Sequence, residues 1–110
     1  MPVRNTSATR EVLAVFKAWL DKPFYGLDII RETGLASGSV YPILHRLETE
    51  GWLTSRWENI DPTVEARPAR RLYSLTAVGA TGAEAFERAV EERKRRARLG
   101  WQRELPGELT

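Results

Sequence analysis

The sequence predicts a mainly helical fold with a two-stranded β-wing, on three observations. Residues 37–58, SGSVYPILHRLETEGWLTSRWE, read as a helix that runs straight into a strand. Residues 66–76, ARPARRLYSLT, read as a returning strand with arginines at its loop end. Two shorter helical patterns precede these segments and one long pattern comes after them. A polar-faced helix beside a basic ribbon is the anatomy of a winged helix-turn-helix, here with a C-terminal dimerisation helix added. The arrangement points to duplex DNA rather than to a substrate.

Each element has its own signal. Residues 1–8 are expected to be a flexible N-terminus. From Thr9 to Leu20, Val12, Leu13, Phe16, Trp19 and Leu20 form an i, i+3, i+4, i+7 stripe, the mark of an amphipathic helix. Asp21-Lys22-Pro23 ends it, because the residue before proline is pushed out of the helical region. Tyr25-Gly26 opens a second helix whose Leu27, Ile29 and Ile30 face inward. Gly34 supplies its left-handed stop. After the tight Leu35-Ala36 connection, Ser37 or Ser39 can cap the third helix. Pro42 favours Ser39, since the proline then falls in the first turn, where its missing N–H costs nothing.

In the third helix Val40, Ile43, Leu44 and Leu47 share one face, and Ser39, Tyr41, Pro42, His45, Arg46 and Thr49 occupy the others. Gly51 ends it, and Trp52-Leu53 anchors the strand beyond. Alternation from Thr54 to Ile60 predicts that strand, with Ser55 and Trp57 on one side and Thr54, Arg56 and Glu58 on the other. Asn59-Ile60-Asp61-Pro62 breaks it, and a loop continues to Arg67-Pro68. The return strand Arg70 to Leu75 puts Arg71, Tyr73 and Leu75 on one side. Thr76 caps the last helix, predicted over Ala77 to about Leu99 and so roughly 35 Å long. The domain organisation is then a winged helix-turn-helix over 9–75, a dimerisation helix over 76–100 and a tail over 101–110.

Composition narrows the function. The 110 residues form one domain, with four tryptophans to fill a thin core. There is no cysteine, hence no disulfide or thiolate metal site. MPVRNTSATR lacks the apolar centre of a signal peptide, and no apolar run approaches the ~20 residues that span a bilayer. A soluble, cytoplasmic protein without membrane contact is expected. The net charge is only +2, but Arg67, Arg70 and Arg71 cluster, as do Arg88, Arg93, Lys94, Arg95, Arg96 and Arg98. Both clusters are candidate phosphate contacts, although the second reads equally as solvated surface. Enzymatic readings fare poorly. One histidine stands without a cysteine, none of Asp21, Asp28 and Asp61 is spaced to pair with it, and no glycine-rich loop comes after a strand. No catalytic residue, metal ligand or cofactor is expected.

Duplex recognition needs three parts. A helix must enter the major groove: Ser37, Ser39, Tyr41 and Pro42 offer a short-chain face, and His45 and Arg46 extend from it. A second helix must cross behind through a short turn, which Thr33-Gly34-Leu35-Ala36 supplies. The ribbon must reach the flanking backbone, and Arg67, Arg70 and Arg71 give it charge, with Tyr73 supporting the arginine stems. The alternative is a winged-helix protein-interaction module that never touches nucleic acid.

On the last helix Val78, Ala83, Phe86, Ala89 and Val90 make an apolar stripe, and beyond Val90 the chain is almost wholly charged. The stripe is expected to pack on a second copy and on that copy's first helix, where Val12 and Phe16 lie; the alternative is a helix folded back on its own domain. A twofold dimer would read an inverted repeat with half-sites ~34 Å apart. Trp101 closes that interface, lines a pocket between subunits or packs locally; the sequence leaves these open.

Taken together, YGLDII, SGSVYPILHRLETEGWL and RPARRLYSLTAVG resemble the PadR family of bacterial transcriptional regulators over about residues 10–90. A single helix after the wing resembles the small subgroup. Two departures stand out: Ala66 precedes Arg67-Pro68 where family wings often carry glycine, and Leu72 stands where a second aromatic often precedes Tyr73. The resemblance implies a dimeric repressor of palindromic operators, released by a small aromatic or drug-like effector. It places Ser39, Tyr41, His45 and Arg46 on the recognition helix and Arg67, Arg70 and Arg71 on the wing. In some small relatives flat ligands sit between subunits near tryptophans of the last helix, a role open here to Trp101 or Trp19.

Overall fold

The computed structural model describes residues 2–103. The chain runs through α1 (Ser7–Ala18), β1 (Phe24–Tyr25), α2 (Gly26–Thr33), α3 (Ser37–Thr49), β2 (Leu53–Trp57), α4 (Pro62–Glu65), β3 (Arg71–Leu75) and α5 (Ala77–Arg103). The expected class, mainly helical with a β-wing, is the observed one. The sheet, however, has three antiparallel strands in the order β1-β3-β2 rather than two. Phe24 pairs with Tyr73 and Tyr25 with Leu72, so the stretch after Pro23 is a strand. Two residues carry no alternation to read; the pairing comes from Phe24 being buried against Phe16, with ring centroids 5.5 Å apart and edge to face.

The core is built from the inner stripes of the first three helices. Val12, Leu13, Phe16, Ile29, Val40, Leu44, Leu47 and Leu53 are all closed to water. Their spacing explains why these segments are helices: each repeats on one face at three and four residues. Leu27, expected inward, is instead exposed, while Ile29 is buried and Ile30 packs against the core. Trp19 and Leu20 fall beyond the end of α1 and are also exposed, with Trp19 leaning on Phe24. Three residues expected at a subunit interface, Val12, Phe16 and Ala83, are buried inside the single chain. Their apolarity serves this subunit's own core, which leaves them no surface for a partner.

Several boundaries differ from the periodicity for local reasons. The N-terminal segment expected to be loose is tied down. Thr6 caps α1 by accepting a hydrogen bond from the Thr9 N–H at 3.1 Å, Val3 packs on the core, and the Asn5 amide donates to the Phe86 carbonyl at 3.3 Å. Helix α3 begins at Ser37 rather than Ser39, with Ala36 as its cap residue and no side-chain cap. The Ala36 carbonyl accepts from the Ser39 and Val40 N–H groups, so Pro42 lies inside the helix. The proline withholds the bond that the Gly38 carbonyl would accept. Gly38 is exposed, so water can satisfy that oxygen and the defect is cheap. At the other end Gly51, at φ 79°, and Trp52 donate back to Glu48 and Leu47 at 3.0 and 2.8 Å, a Schellman closure. Strand β2 stops at Trp57, not Ile60, and the expected loop contains α4, capped by Asp61, whose carboxylate accepts from the Thr63 N–H at 2.9 Å.

Helix α5 starts on Thr76, whose hydroxyl oxygen accepts from the Gly79 N–H at 3.0 Å and donates to the Gly51 carbonyl at 2.7 Å. The helix then crosses Trp52 at very short range. A Cβ at Gly79 would lie 2.1 Å from the Trp52 carbonyl oxygen and 2.8 Å from a Leu75 methyl. Because the first obstacle is backbone, it cannot swing aside. Gly79→Ala is therefore expected to destabilise the chain by roughly 1–3 kcal/mol through overpacking. Urea unfolding checks this, as a lower midpoint at unchanged slope.

Candidate nucleic-acid interface

Because α3 buries Val40, Leu44 and Leu47, its opposite face is fixed outward. Ser37, Ser39, Tyr41, Pro42 and His45 are all exposed along it. Neither serine hydroxyl is spent on a cap. Tyr41 is half exposed, and its ring lies over Gly26 so closely that a Cβ there would meet the ring at 2.4 Å. Part of Tyr41 thus holds α2 against α3, and its remaining surface faces water. Arg46 is partly buried and lines a cavity of about 290 Å³ between α3 and the N-terminal segment, with Pro42 and Ile43 on its side and Val3 and Arg4 opposite.

The wing is fastened on both of its faces. On the face turned toward α3, the Ser55 hydroxyl donates to the Glu48 carboxylate, and the Arg71 Nε donates to Ser55 Oγ at 2.8 Å. The Arg71 guanidinium also lies 3.6 Å from Glu48 and rests over the Trp57 ring at 5.0 Å. On the other face Glu58 gathers three segments. Its carboxylate accepts from the Tyr25 hydroxyl at 2.5 Å, from both terminal nitrogens of Arg67 at 2.6 and 3.0 Å, and from the Arg70 N–H at 3.3 Å. The Arg70 guanidinium lies over the Tyr25 ring at 5.2 Å.

The expected wing residues are therefore brought together, with changed parts. Arg70 and Arg71 stand at the loop end of the hairpin, Arg70 exposed and Arg71 tied to Ser55 and Glu48. Arg67 is held in a two-pronged ion pair. Tyr73 does not carry the arginine stems: it is partly buried against the core, and the guanidinium groups of Arg70 and Arg71 lie over the rings of Tyr25 and Trp57 instead. Burial raises the Tyr73 pKa. Two carboxylates of the site, Glu48 and Glu58, have no role that sequence reasoning assigns. A glutamate at the strand end opposite an arginine cluster is the available signal for Glu58; for Glu48, seven residues before Ser55, there is none.

On α5, Phe86 stacks on Trp52 with centroids 5.0 Å apart and is partly buried within the subunit. Val78 is 61% exposed, Ala89 is exposed and Val90 is partly covered. The late charged run is partly self-paired: Arg95 and Arg96 meet Glu92 at 3.0 and 3.2 Å, and Lys94 meets Glu91 at 3.8 Å. These are exposed helix-surface pairs of small energetic weight. The side chain of Trp101 lies outside the described residues. Among the described residues no helix is long and apolar enough to cross a membrane.

An outward polar helix behind which a second helix crosses, flanked by an arginine-bearing hairpin, defines the winged-helix class of transcriptional regulator. More particularly, the chain belongs to the PadR-like family of transcriptional regulators, whose model matches residues 12–85, and this is a family of regulators rather than of enzymes. The chain is similar to the transcriptional regulator Rv3488 of Mycobacterium tuberculosis, with 37% identity over 76 residues. That match covers 69% of this chain and 65% of the relative, slightly under two thirds of its length. Among solved structures it resembles a PadR-like transcription factor from Bacteroides fragilis, at TM-score 0.66 and 22% identity over 84% of this chain and 90% of that one. It also resembles a mutant of MepR from S. aureus bound to an oligodeoxyribonucleotide, at TM-score 0.63 and 19% identity over 94% and 67% of the two chains. At such identities the structural likeness is one of fold.

Glu58 gives the interface an acid limit. Hydrogen bonds from Arg67 and then Tyr25 hold its carboxyl down from 4.5 to about 2. A lowered carboxylate pKa stabilises the fold fully above the unfolded value of 4.5, and that contribution drains away as pH falls from 4.5 toward 2. Glu58→Gln removes the titrating group, so its thermal midpoint is expected to fall less than that of the wild type between neutral pH and about pH 3. Parallel melting curves at the two pH values check it.

Proposed function

We propose that this PadR-family regulator is a homodimeric repressor that binds a palindromic duplex operator. The observation that carries the reading is the outward face of α3: Ser37, Ser39, Tyr41, Pro42 and His45 stand clear of the core on the helix whose Glu48 meets Arg71 of the wing. Small side chains there let the helix backbone approach the base edges, and His45 and Arg46 extend toward bases or phosphates. Arg70 and Arg71 of the wing neutralise flanking phosphates and fix the register without reading sequence. Exposed Val78 and Ala89, with Val90 beside them, leave α5 an apolar strip suited to a second copy. Release by a small aromatic or drug-like effector completes the proposal.

Two measurements test it. Genomic fragments retained by the purified protein are expected to share an inverted repeat with half-sites about one helical turn, ~34 Å, apart. The mass in solution is expected to be that of two chains. Fragments without twofold symmetry would remove the palindrome and the dimer together. No retention of any duplex at low salt would favour a protein-interaction module instead. Separately, replacing Arg70 and Arg71 together with alanine is expected to weaken binding to every duplex and to flatten the plot of log affinity against log salt by about one to two units. Fluorescence anisotropy over a salt series reads that slope.

A further inference from the structure

We propose that Glu58 is the positioning residue of the wing, that Arg67 is its fixed counter-ion rather than a phosphate contact, and that Arg70 is the arginine this clamp presents to DNA. The assignment of phosphates rests on the DNA-binding reading above; the clamp itself does not.

The geometry carries the clamp. Glu58 directly succeeds the last residue of β2, where a carboxylate would ordinarily be solvated, yet only 11% of its side chain is exposed. Its oxygens are occupied by donors from three separate segments: the Tyr25 hydroxyl of β1, the Arg67 guanidinium of the wing loop, and the Arg70 N–H at the head of β3. The Glu58 N–H in turn donates to the Arg70 carbonyl at 2.8 Å. One side chain thereby closes the loop that holds α4 and fastens it to the edge strand. Without it, residues 59–70 would be joined to the sheet by little beyond their two ends.

Charge separates the arginines. Arg67 spends both terminal nitrogens on Glu58, and one of them also reaches the Pro68 carbonyl at 3.3 Å. The pair is electrically neutral as a unit. The salt dependence of DNA binding counts phosphates neutralised by net positive charge, with a slope of about 0.9 for each. A neutral pair adds nothing to that slope, and turning Arg67 toward a phosphate would break two charge-assisted bonds and strand a largely covered carboxylate. Arg70 differs. It is exposed, its guanidinium meets no carboxylate among the described residues, and it rests on the ring of the same Tyr25 whose hydroxyl Glu58 holds. Glu58 thus fixes the ring over which the Arg70 guanidinium lies, and leaves that positive charge without a carboxylate to neutralise it.

The test compares the full chain with the double variant Glu58→Ala/Arg67→Ala, which keeps net charge constant, and with Arg70→Gln. Amide hydrogen exchange is followed without DNA, and affinity for mixed duplex DNA is measured over a salt series. The double variant is expected to exchange the amides of residues 59–70 faster by on the order of tenfold. It should bind several-fold more weakly at an unchanged salt slope. Arg70→Gln is expected to do the reverse: exchange unaltered, slope lower by about 0.9. If the double variant keeps its wing protection and loses about 0.9 in slope, Arg67 is a phosphate contact and the proposal is overturned. Unaltered exchange and affinity would mean that Glu58 positions nothing. Should the double variant not fold, Arg67→Ala alone decides the clamp through the same exchange measurement. If the wild-type chain retains no duplex at all, the DNA reading fails, and exchange in residues 59–70 still accepts or rejects the clamp on its own.

Discussion

The orientation of one helix decides everything this surface can do, and three side chains decide the orientation. Val40, Leu44 and Leu47 are sealed from water against α1 and the base of the hairpin. Burying side chains of this size is worth roughly 1.5–3 kcal/mol each, far more than any exposed polar contact on the opposite face. Rotating α3 by a quarter turn would bring apolar surface out and push Tyr41 or His45 in. The outward face of α3 is thus determined from behind, by residues closed to water. This leaves Ser37, Ser39 and His45 open to change at little cost in stability, whereas Tyr41 is tied to Gly26.

A second constraint is closeness. The backbone of α5 at Gly79 and Gly82 lies directly on Trp52, where even a methyl group would collide with the carbonyl or the ring. Trp52 joins the end of α3 to β2, and Thr76 bonds back to the same corner. Helix α3, the hairpin and the last helix therefore meet at one rigid junction. At the opposite corner Gly26 admits the Tyr41 ring and locks α2 to α3. The helix-turn-helix and wing are coupled through fixed contacts, with the Glu48, Ser55 and Arg71 network lying between them.

Much of this is legible in the chain because it is written in periodicity. The stripe of α3, the left-handed Gly34, the turn at Gly51 and the arginines of the return strand each have a local cause and stand where their pattern puts them. The features that escape such reading lack a local cause. Strand β1 is two residues long and exists only because Phe24 is buried and β3 offers an edge. The start of α3 at Ser37 rests on Ala36, whose methyl group cannot announce a cap. Helix α4 has a legible clue in Asp61-Pro62, a capping residue with proline next to it at the first helical position. Val12, Phe16 and Ala83 show a limit of another kind. A stripe says that a face is covered, not whether the cover is the same chain or another. Glu58, expected within its strand, instead directly follows it, and its importance arises from Tyr25, 33 positions away.

The short segment ahead of α1 has a practical consequence. Pro2, Val3 and Arg4 form one wall of the cavity whose other wall is Pro42, Ile43 and Arg46 of α3. Whatever alters residues 2–4 therefore bears directly on α3.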